Sequence, residues 1–259
     1  MHSIAVLALA AATAASPLSW KKTTPYAEVG LTLPKEVRHA PMLNERLHRG
    51  EIKALEAFAA SAADPKDGLR GDAPAFRAQG KWAMEVTYKP GVETPRLISL
   101  IRTSFEDTHG AHPNHSLGGV VFDKAANRNL HPLDLLKPGA DLSPLDKALC
   151  DAARAAKRAR NDQWNENEDT NFSCPTWKGI VGKNGKLLEG TGPAQITLAQ
   201  GDSPGHAAGL VFLYSPYDLG AYAEGEYEVL VPAAVFRTTL KPDYAAEFAG
   251  KPRPLKQAD

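Results

Sequence analysis

The spacing of apolar residues changes along the chain from a helical period to a strand period. Between Pro41 and Ala63, apolar residues recur every three to four positions, which is typical of a helix with one buried face. From Trp82 onwards apolar and polar residues alternate, and the stretch from Leu97 to Phe105 is expected to return as the second strand of a hairpin. Pro90-Gly91 and Thr94-Pro95 separate these stretches and are expected to supply the turn.

A second helix is expected from Ser143 onwards. Ser143 is a suitable N-cap, Pro144 occupies the first helical position and Asp146 places a carboxylate in the first turn. The end of this helix carries four basic residues, which the helix dipole favours there: Arg154, Lys157, Arg158 and Arg160. The segment from Ser215 to Asp218 repeats the same start chemistry and predicts one helical turn.

Short apolar stretches predict further strands and a last short helix. The strands are expected at Gly119–Phe122, Lys186–Leu188, Gln195–Leu198, Gly209–Tyr214 and Glu226–Val231, and the helix at Pro232–Leu240. Because strands and helices are segregated, this order predicts an α+β fold with mainly antiparallel sheets and helices packed on one side. Residues 251–259 are rich in charge and are expected to form a disordered tail.

The N-terminal stretch indicates export. Residues 4–15 are apolar and uncharged, but a bilayer span needs about 20 such residues. Ala12, Thr13 and Ala14 place small residues where a signal peptidase reads, so residues 1–15 are predicted to be a cleaved signal peptide. A buried N-terminal helix is the alternative. The mature protein is accordingly expected to be periplasmic or secreted, without stable membrane insertion.

Composition and charge limit the classes of partner. The 259 residues are 43% apolar, which is enough for a sizeable core, and 30 basic residues balance 30 acidic residues. With a net charge of +0, no long-range field attracts nucleic acid, and none is expected as a partner. The two cysteines, Cys150 and Cys174, are predicted to form one disulfide in an oxidising compartment, with two free thiols as the alternative.

Three histidines at regular spacing, His109, His112 and His115, are candidates for a metal site. Three imidazoles and a water can form a catalytic zinc site. The neighbouring glycine and proline residues indicate a loop, and no carboxylate or cysteine is spaced as an obvious fourth ligand. We therefore expect no cofactor, and zinc is the less favoured interpretation.

Two stretches resemble the signatures of a bacterial envelope domain of unknown function. The first runs from Thr108 to Asn114 (THGAHPN) and is followed by Val121-Phe122-Asp123 and the segment 130–136. The second runs from Leu210 to Gly225 (LVFLYSPYDLGAYAEG). The domain occurs in the extracellular part of RsiV-type anti-sigma factors, which sense lysozyme, and in the non-catalytic part of PdaC-type peptidoglycan deacetylases. The resemblance implies an exported α+β domain over residues 81–250, preceded by a smaller N-terminal region over residues 16–80.

The resemblance, together with the absence of a recognised catalytic motif, favours a non-enzymatic binding or sensing module. Loops at the same end of a sheet converge, so His112 and Asn114 are expected to meet Tyr217 and Tyr222 as ligand-binding residues. Two core tyrosines with satisfied hydroxyls are the alternative. The resemblance implies peptidoglycan, or an envelope protein such as lysozyme, as the partner. A metal- or His-dependent hydrolase of cell-wall material, with His112 as acid or base, is the alternative function.

Overall fold

The computed structural model describes residues 17–64, 80–180 and 194–255. The predicted signal peptide and the predicted strand at Lys186–Leu188 lie outside the described residues. Within the described residues, no helix is both long enough and apolar enough to cross a bilayer.

The described chain consists mainly of strands, with two long helices and several short helical turns. The strands are β1 Ser19–Thr23, β2 Ala27–Thr32, β3 Trp82–Glu93, β4 Leu97–Asp107, β5 Asn114–Asp123, β6 Arg128–Leu130, β7 Pro175–Thr176, β8 Gly179–Ile180, β9 Gln195–Ala199, β10 Gly209–Tyr214 and β11 Tyr227–Pro232. The α-helices are α1 Pro41–Ala62, α2 Ser143–Arg160, α3 Ala233–Phe236 and α4 Pro242–Ala245. Short 3-10 turns cover Lys35–His39, Pro132–Leu135, Tyr222–Glu224 and Arg237–Thr239.

The strands form a six-stranded, a three-stranded and a two-stranded sheet. The first has the order β1-β2-β3-β4-β5-β6, the second β11-β10-β9 and the third β7-β8. Every neighbouring pair is antiparallel except β2 and β3, which are parallel. Together with the packed helices, this arrangement confirms the predicted α+β class.

Helix α1 covers one face of the six-stranded sheet. Its buried residues, which include Leu43, Leu47 and Leu55, share a core with side chains of β2, β3, β4 and β5. The predicted helix over 41–63 is confirmed to within one residue. Strands β1 and β2, which lie in the predicted N-terminal region of residues 16–80, therefore belong to the same sheet as strands of residues 81–250. The division of the chain into these two regions stays a prediction.

The hairpin turn lies later in the sequence than predicted. Strand β3 continues through Pro90-Gly91 to Glu93, with a shift of register between Pro90 and Glu93. The chain reverses at Thr94, whose N–H donates to the carbonyl of Leu97 at 2.8 Å. A bulge accommodates the proline and glycine within the strand, so only the Thr94-Pro95 dipeptide forms the turn.

The structure also corrects the predicted N-cap of α2 and the predicted start of the C-terminal tail. The N-cap of α2 is Leu142 and not Ser143. Asp146 lies in the first turn of α2 as predicted, and its carboxylate accepts the Trp177 N–H at 2.8 Å. The predicted start of the disordered tail, at residue 251, is too early. The Lys251 N–H donates to the Asp202 carboxylate at 2.8 Å, and Pro252 forms an isolated β-bridge with Gly201. Backbone pairing therefore holds the start of this segment on the protein.

The three-stranded sheet packs against the six-stranded sheet through β9 and β5. A Cβ atom at Gly119 of β5 would lie 2.1 Å from the Ile196 carbonyl oxygen of β9. Leu117 of β5 shares a small buried cluster with Val211 and Leu213 of β10. The backbones approach so closely here that only glycine fits at position 119. On its other face, the three-stranded sheet is covered by α2.

We predict that Gly119→Ala lowers the free energy of unfolding by about 1–3 kcal/mol, because overpacking forces the two sheets apart. The matched control is Gly118→Ala, where the new Cβ would lie 3.6 Å from its nearest neighbour, the Gln195 amide oxygen. Urea unfolding of both variants measures the difference. Equal stabilities of the two variants would contradict the close approach of the sheets.

The predicted disulfide is present and fastens the end of a long loop to α2. Cys150 lies on α2, Cys174 immediately precedes β7, and their Cα atoms are 5.0 Å apart. The two residues are separated by 24 positions, so the bond closes the loop that follows α2.

We predict that Cys150→Ala combined with Cys174→Ala lowers the free energy of unfolding by about 3 kcal/mol. The chain-entropy model assigns this cost to releasing a loop of about 25 residues in the unfolded chain. Urea unfolding of the oxidised protein against the double variant measures it. A reducing agent should lower the free energy of unfolding of the wild type to about that of the variant and leave the value of the variant unchanged. An oxidised wild type that is no more stable than the variant would refute the stabilisation.

Candidate functional site

Two loops meet at one end of the sheets. The first loop (residues 108–113) joins β4 to β5, and the second loop (residues 215–226) joins β10 to β11. Ser215 fastens the second loop to β5, since its hydroxyl accepts the Leu117 N–H at 3.0 Å and donates to the Leu117 carbonyl at 3.3 Å. These hydrogen bonds therefore join the second signature to β5, the strand that follows the first loop.

His112 from the first loop contacts Tyr217 and Tyr222 from the second, and we call these three residues the aromatic cluster. The His112 and Tyr222 rings are stacked with centroids 3.9 Å apart, and the Tyr217 and Tyr222 centroids are 5.4 Å apart. The Tyr217 hydroxyl lies 3.4 Å from His112 Nε2. The Tyr222 hydroxyl donates to the Pro113 carbonyl, so it ties the loops together while its ring remains partly exposed.

Tyr217 is the most exposed ring of the cluster and sits on an unusual backbone. Its relative exposure is 63%, and its φ of 74° lies in the left-handed region. Tyr217 is the third residue of the turn Ser215–Asp218, which the Asp218 N–H closes by donating to the Ser215 carbonyl at 3.1 Å. Its positive φ is not helical, so the helical turn predicted there is wrong. A bulky residue at positive φ costs about 1–3 kcal/mol and persists only where its surroundings hold it. Such strain is found most often at functional sites.

The remaining predicted site residues lie apart from this contact. Asn114 begins β5, is exposed and pairs with Glu106 in the sheet, and within the described residues no hydrogen bond or ring contact joins it to either tyrosine. His109 lies beside Asp107, and His115 packs against the Phe105 ring with centroids 5.4 Å apart. Within residues 17–64, 80–180 and 194–255, no group of three or more His, Cys, Asp or Glu side chains is arranged to hold a metal ion.

A buried lysine lies behind the second loop. The Lys157 side chain is 1% exposed, and its ammonium group lies 2.8 Å from the Asp169 carboxylate and 2.6 Å from the Glu224 carboxylate. We call these three residues the lysine clamp. The rings of Trp164, Phe172 and Tyr227 surround the ammonium group at 5.6, 6.0 and 5.6 Å.

The clamp holds the backbone that carries Tyr222. Besides Lys157, the Glu224 carboxylate accepts the Ala221 N–H at 2.9 Å and the Tyr227 hydroxyl, which closes the 3-10 turn Tyr222–Glu224. A Cβ at Gly220 would lie 2.4 Å from this carboxylate, so a side chain at position 220 would displace Glu224 from the clamp. The orientation of the Tyr222 ring therefore depends on a charge buried beneath it.

Both clamp carboxylates are held in their ionised form. Burial would raise the pKa of Glu224, but hydrogen bonds from Lys157 and Tyr227 outweigh burial and lower this pKa. The pKa of Asp169 is lowered in the same way, with burial opposed by Lys157 and by the indole N–H of Trp164, which donates at 2.7 Å. The clamp is thus a cluster of one cation and two anions, in which both carboxylates contact the same ammonium group.

The sequence pattern explains Lys157 only through the helix dipole, and the structure confirms its place in the last turn of α2. It also shows what the pattern does not reveal, namely that the Lys157 side chain is buried between two carboxylates. The signal is present in the spacing: Leu145, Leu149, Ala153 and Lys157 lie four residues apart, and all four are buried. A lysine in the apolar stripe of a helix requires a buried partner. Neither Asp169 nor Glu224 can be recognised as that partner without the tertiary structure.

We predict that Lys157→Met lowers the free energy of unfolding by about 3–5 kcal/mol at neutral pH, because two carboxylates are left buried without their cation. The control is Lys147→Met on the same helix, where an exposed lysine paired with Asp151 is lost at a cost of about 0–1 kcal/mol.

The pH dependence of the same variants separates charge from packing. The clamp carboxylates have lower pKa values in the folded than in the unfolded protein, so their ionisation stabilises the wild type. This stabilisation is present above their unfolded pKa of about 4 and is lost as the pH falls below that value. In Lys157→Met, protonation relieves the unpaired charges, so acidification from pH 7 to about pH 5 should raise stability. Urea unfolding across this range measures it, and a variant that follows the wild-type pH profile would contradict the clamp.

The comparisons with known proteins agree with the fold and with the second signature. The family model described as "Protein of unknown function (DUF3298)" matches residues 206–234, a segment that contains the signature from Leu210 to Gly225. Among solved structures, the chain is similar to a DUF3298 family protein from Pseudomonas aeruginosa PAO1, with 15% identity and a TM-score of 0.55 over 92% of this chain and 99% of that chain. It is also similar to a DUF3298 family member from Bacteroides fragilis NCTC 9343, with 12% identity and a TM-score of 0.53 over 88% and 94%. No curated protein matches the chain. The chain therefore shares its fold with DUF3298 structures and carries a DUF3298 sequence match across its second loop.

Proposed function

We propose that the protein is an exported, non-enzymatic binding module of the bacterial cell envelope, and that the aromatic cluster binds the glycan strands of peptidoglycan. The observation that carries the proposal is the exposed ring of Tyr217, which stands beside His112 and Tyr222 on a strained backbone. A ring held in this way adds nothing to the core of the protein.

Aromatic rings with polar tips suit a saccharide ligand. The ring face of tyrosine packs against the apolar face of a sugar, while its hydroxyl and the imidazole nitrogen exchange hydrogen bonds with sugar hydroxyls. The stacking of His112 on Tyr222 and the hydrogen bond from Tyr222 to Pro113 fix the rings before any ligand arrives. Preorganisation of this kind lowers the entropy cost of binding.

The envelope assignment is supported by the disulfide and by the resemblance of the two signatures. A disulfide between Cys150 and Cys174 persists in an oxidising compartment, where secreted and periplasmic proteins reside. The segments from Thr108 to Asn114 and from Leu210 to Gly225 resemble the envelope domain of RsiV-type anti-sigma factors and PdaC-type deacetylases. Peptidoglycan, or a protein that acts on it such as lysozyme, is the partner class that this resemblance implies.

We predict that Tyr217→Ala reduces binding of the protein to purified peptidoglycan sacculi at least tenfold while changing the free energy of unfolding by less than about 0.5 kcal/mol. Co-sedimentation with sacculi measures binding, and urea unfolding measures stability. The control is Met42→Ala, which removes a side chain that is 45% exposed on α1, away from the two loops.

Three outcomes would overturn the proposal. Undiminished sedimentation of the Tyr217→Ala variant would show that the aromatic cluster is not the binding site. Release of soluble sugar fragments from the sacculi would favour the hydrolase, with His112 as acid or base. Binding to lysozyme without binding to sacculi would make a protein the partner.

A further inference from the structure

The six-stranded sheet has a free edge at β1. This strand is the first in the order β1-β2-β3-β4-β5-β6, and within the described part of the chain it pairs only with β2. All of its residues except Trp20 are exposed. The opposite edge strand, β6, has only three residues. A free edge offers backbone N–H and C=O groups to another extended chain.

Two hydrogen bonds at the ends of β1 fix the direction of its backbone groups. The Leu33 N–H donates to the Leu18 carbonyl at 2.7 Å, and the Thr24 N–H donates to the Ala27 carbonyl at 2.8 Å. Both bonds continue the register of β1 with β2. In an antiparallel pair, residues that bond to the neighbouring strand alternate with residues whose N–H and C=O groups point away from it. The even-numbered residues of β1 therefore bond to β2.

The odd-numbered residues of β1 direct their backbone groups to the open edge. Trp20 and Lys22 occupy the bonded positions opposite β2. The N–H and C=O groups of Ser19, Lys21 and Thr23 consequently point outwards. An added strand needs unpaired donors and acceptors at this alternate spacing.

A groove on α1 adjoins the same edge. It has a volume of about 490 Å³ and is lined by one side of the helix, including His48, Ile52 and Glu56. Glu56 also pairs with Lys22 of β1 at 2.9 Å, so the groove lies on the β1 side of α1. A strand added to β1 would place every second side chain on this side of the sheet.

The groove offers apolar surface and a nitrogen atom without a partner. Ile52 is partly buried and packs against the core beneath α1. His48 Nε2 is buried, and within the described residues it has no hydrogen-bond partner. An unpaired buried nitrogen is costly in the free protein, and a docked segment can relieve that cost. The groove therefore suits apolar side chains from a segment that also supplies a polar group.

The other side of β1 carries positive charge. Lys21 is exposed and follows the alternation of the strand, so its side chain points away from the face of Lys22 and α1. Within the described residues Lys21 forms no ion pair. Acidic side chains on an added strand would complement this charge.

The same lysine disfavours a second copy of the chain at this edge. Two copies related by a two-fold axis through the centre of β1 would place Lys21 opposite Lys21. Like charges directly opposite each other destabilise a strand pair. The edge therefore favours a strand of opposite charge over its own copy.

We infer that β1 is a docking edge for an extended segment of a partner protein, in which apolar residues facing α1 alternate with acidic residues facing Lys21. The segment extends the six-stranded sheet by one strand, and its side chains on the α1 side contact the groove. The loop that carries His112 joins β4 to β5, and β1 lies three strands away from β4. The docking edge is thus separate from the aromatic cluster and goes beyond the proposed function.

Fluorescence anisotropy of the full chain with labelled synthetic peptides tests the inference. The first probe is an acidic heptapeptide of alternating valine and glutamate. The second replaces each glutamate with lysine. The third keeps the acidic side chains but has an N-methylated backbone, so it cannot donate hydrogen bonds to β1.

Two substitutions at one position separate the backbone from the charge. Lys21→Pro removes an outward N–H and leaves the bonds to β2 intact, and proline is tolerated at such edge positions. Lys21→Gln keeps the N–H and removes only the charge. The control is Lys147→Gln, which removes an exposed lysine on α2. Urea unfolding checks that each variant folds.

We expect the wild type to bind the acidic peptide at least about tenfold more tightly than the lysine peptide and the N-methylated peptide. Lys21→Pro should bind the acidic peptide about tenfold more weakly than Lys21→Gln, because it also lacks the outward N–H. Lys147→Gln and Tyr217→Ala should bind it as the wild type does.

Amide hydrogen exchange of the wild type locates the bound peptide. The amides of Ser19, Lys21 and Thr23 should become protected when the acidic peptide is added, because their N–H groups gain acceptors. The amides of Trp20 and Lys22 already bond to β2 and should change little.

Four results would overturn the inference. The first is a wild type that does not bind the acidic peptide, and the second is one that binds all three peptides alike. The third is a folded Lys21→Pro that binds the acidic peptide as tightly as Lys21→Gln does. The fourth is a wild-type dimer in analytical ultracentrifugation that Lys21→Pro dissociates, which would make a second copy the occupant. Should Lys21→Pro not fold, the N-methylated peptide and hydrogen exchange of the wild type decide.

Discussion

The buried ammonium group of Lys157 is the interaction on which the candidate site depends. It joins helix α2 and the loop directly after it, through Asp169, to the second loop through Glu224, which lies 67 positions from Lys157. Removing one member of such a cluster leaves an uncompensated charge in the protein interior, which costs more than the intact cluster contributes. The second loop therefore has one arrangement that satisfies these charges, and this arrangement places Tyr222 against His112.

The disulfide and the close packing of the sheets act on the same site from two directions. The bond between Cys150 and Cys174 closes the segment that carries Asp169, so it limits how far this carboxylate can move from Lys157. The contact at Gly119 sets the separation of β5 from the three-stranded sheet, and Ser215 then fastens the second loop to β5. An exposed pair of loops thereby gains the rigidity that a preorganised binding surface needs.

Local patterns are sufficient for the long helices, for most of the long strands and for the meeting of the two loops, but not for the exact turns or for the charges beneath the loops. Helix α1 and strand β10 follow from apolar spacing, because that spacing records which face is buried. The proximity of His112 to Tyr217 and Tyr222 follows from loops that share one end of the sheets. The role of Lys157 cannot be assigned from the sequence, because its partners come from other segments. The left-handed backbone at Tyr217 cannot be predicted either, because glycine is the residue that usually marks such a conformation. The sequence also places Asn114 in the same contact, but strand pairing with Glu106 holds it in the sheet.

The central claim is that rings held by the lysine clamp form a surface that binds an envelope glycan. Nuclear magnetic resonance of the full chain, with tyrosine and histidine side chains isotopically labelled, tests it most directly during titration with soluble peptidoglycan fragments. The account predicts that the ring signals of Tyr217, Tyr222 and His112 shift together and saturably and show contacts to sugar protons, while Tyr26 and His39, which lie outside the two loops, remain unchanged. Saturable shifts confined to signals outside the two loops, or no shifts at all, would contradict it.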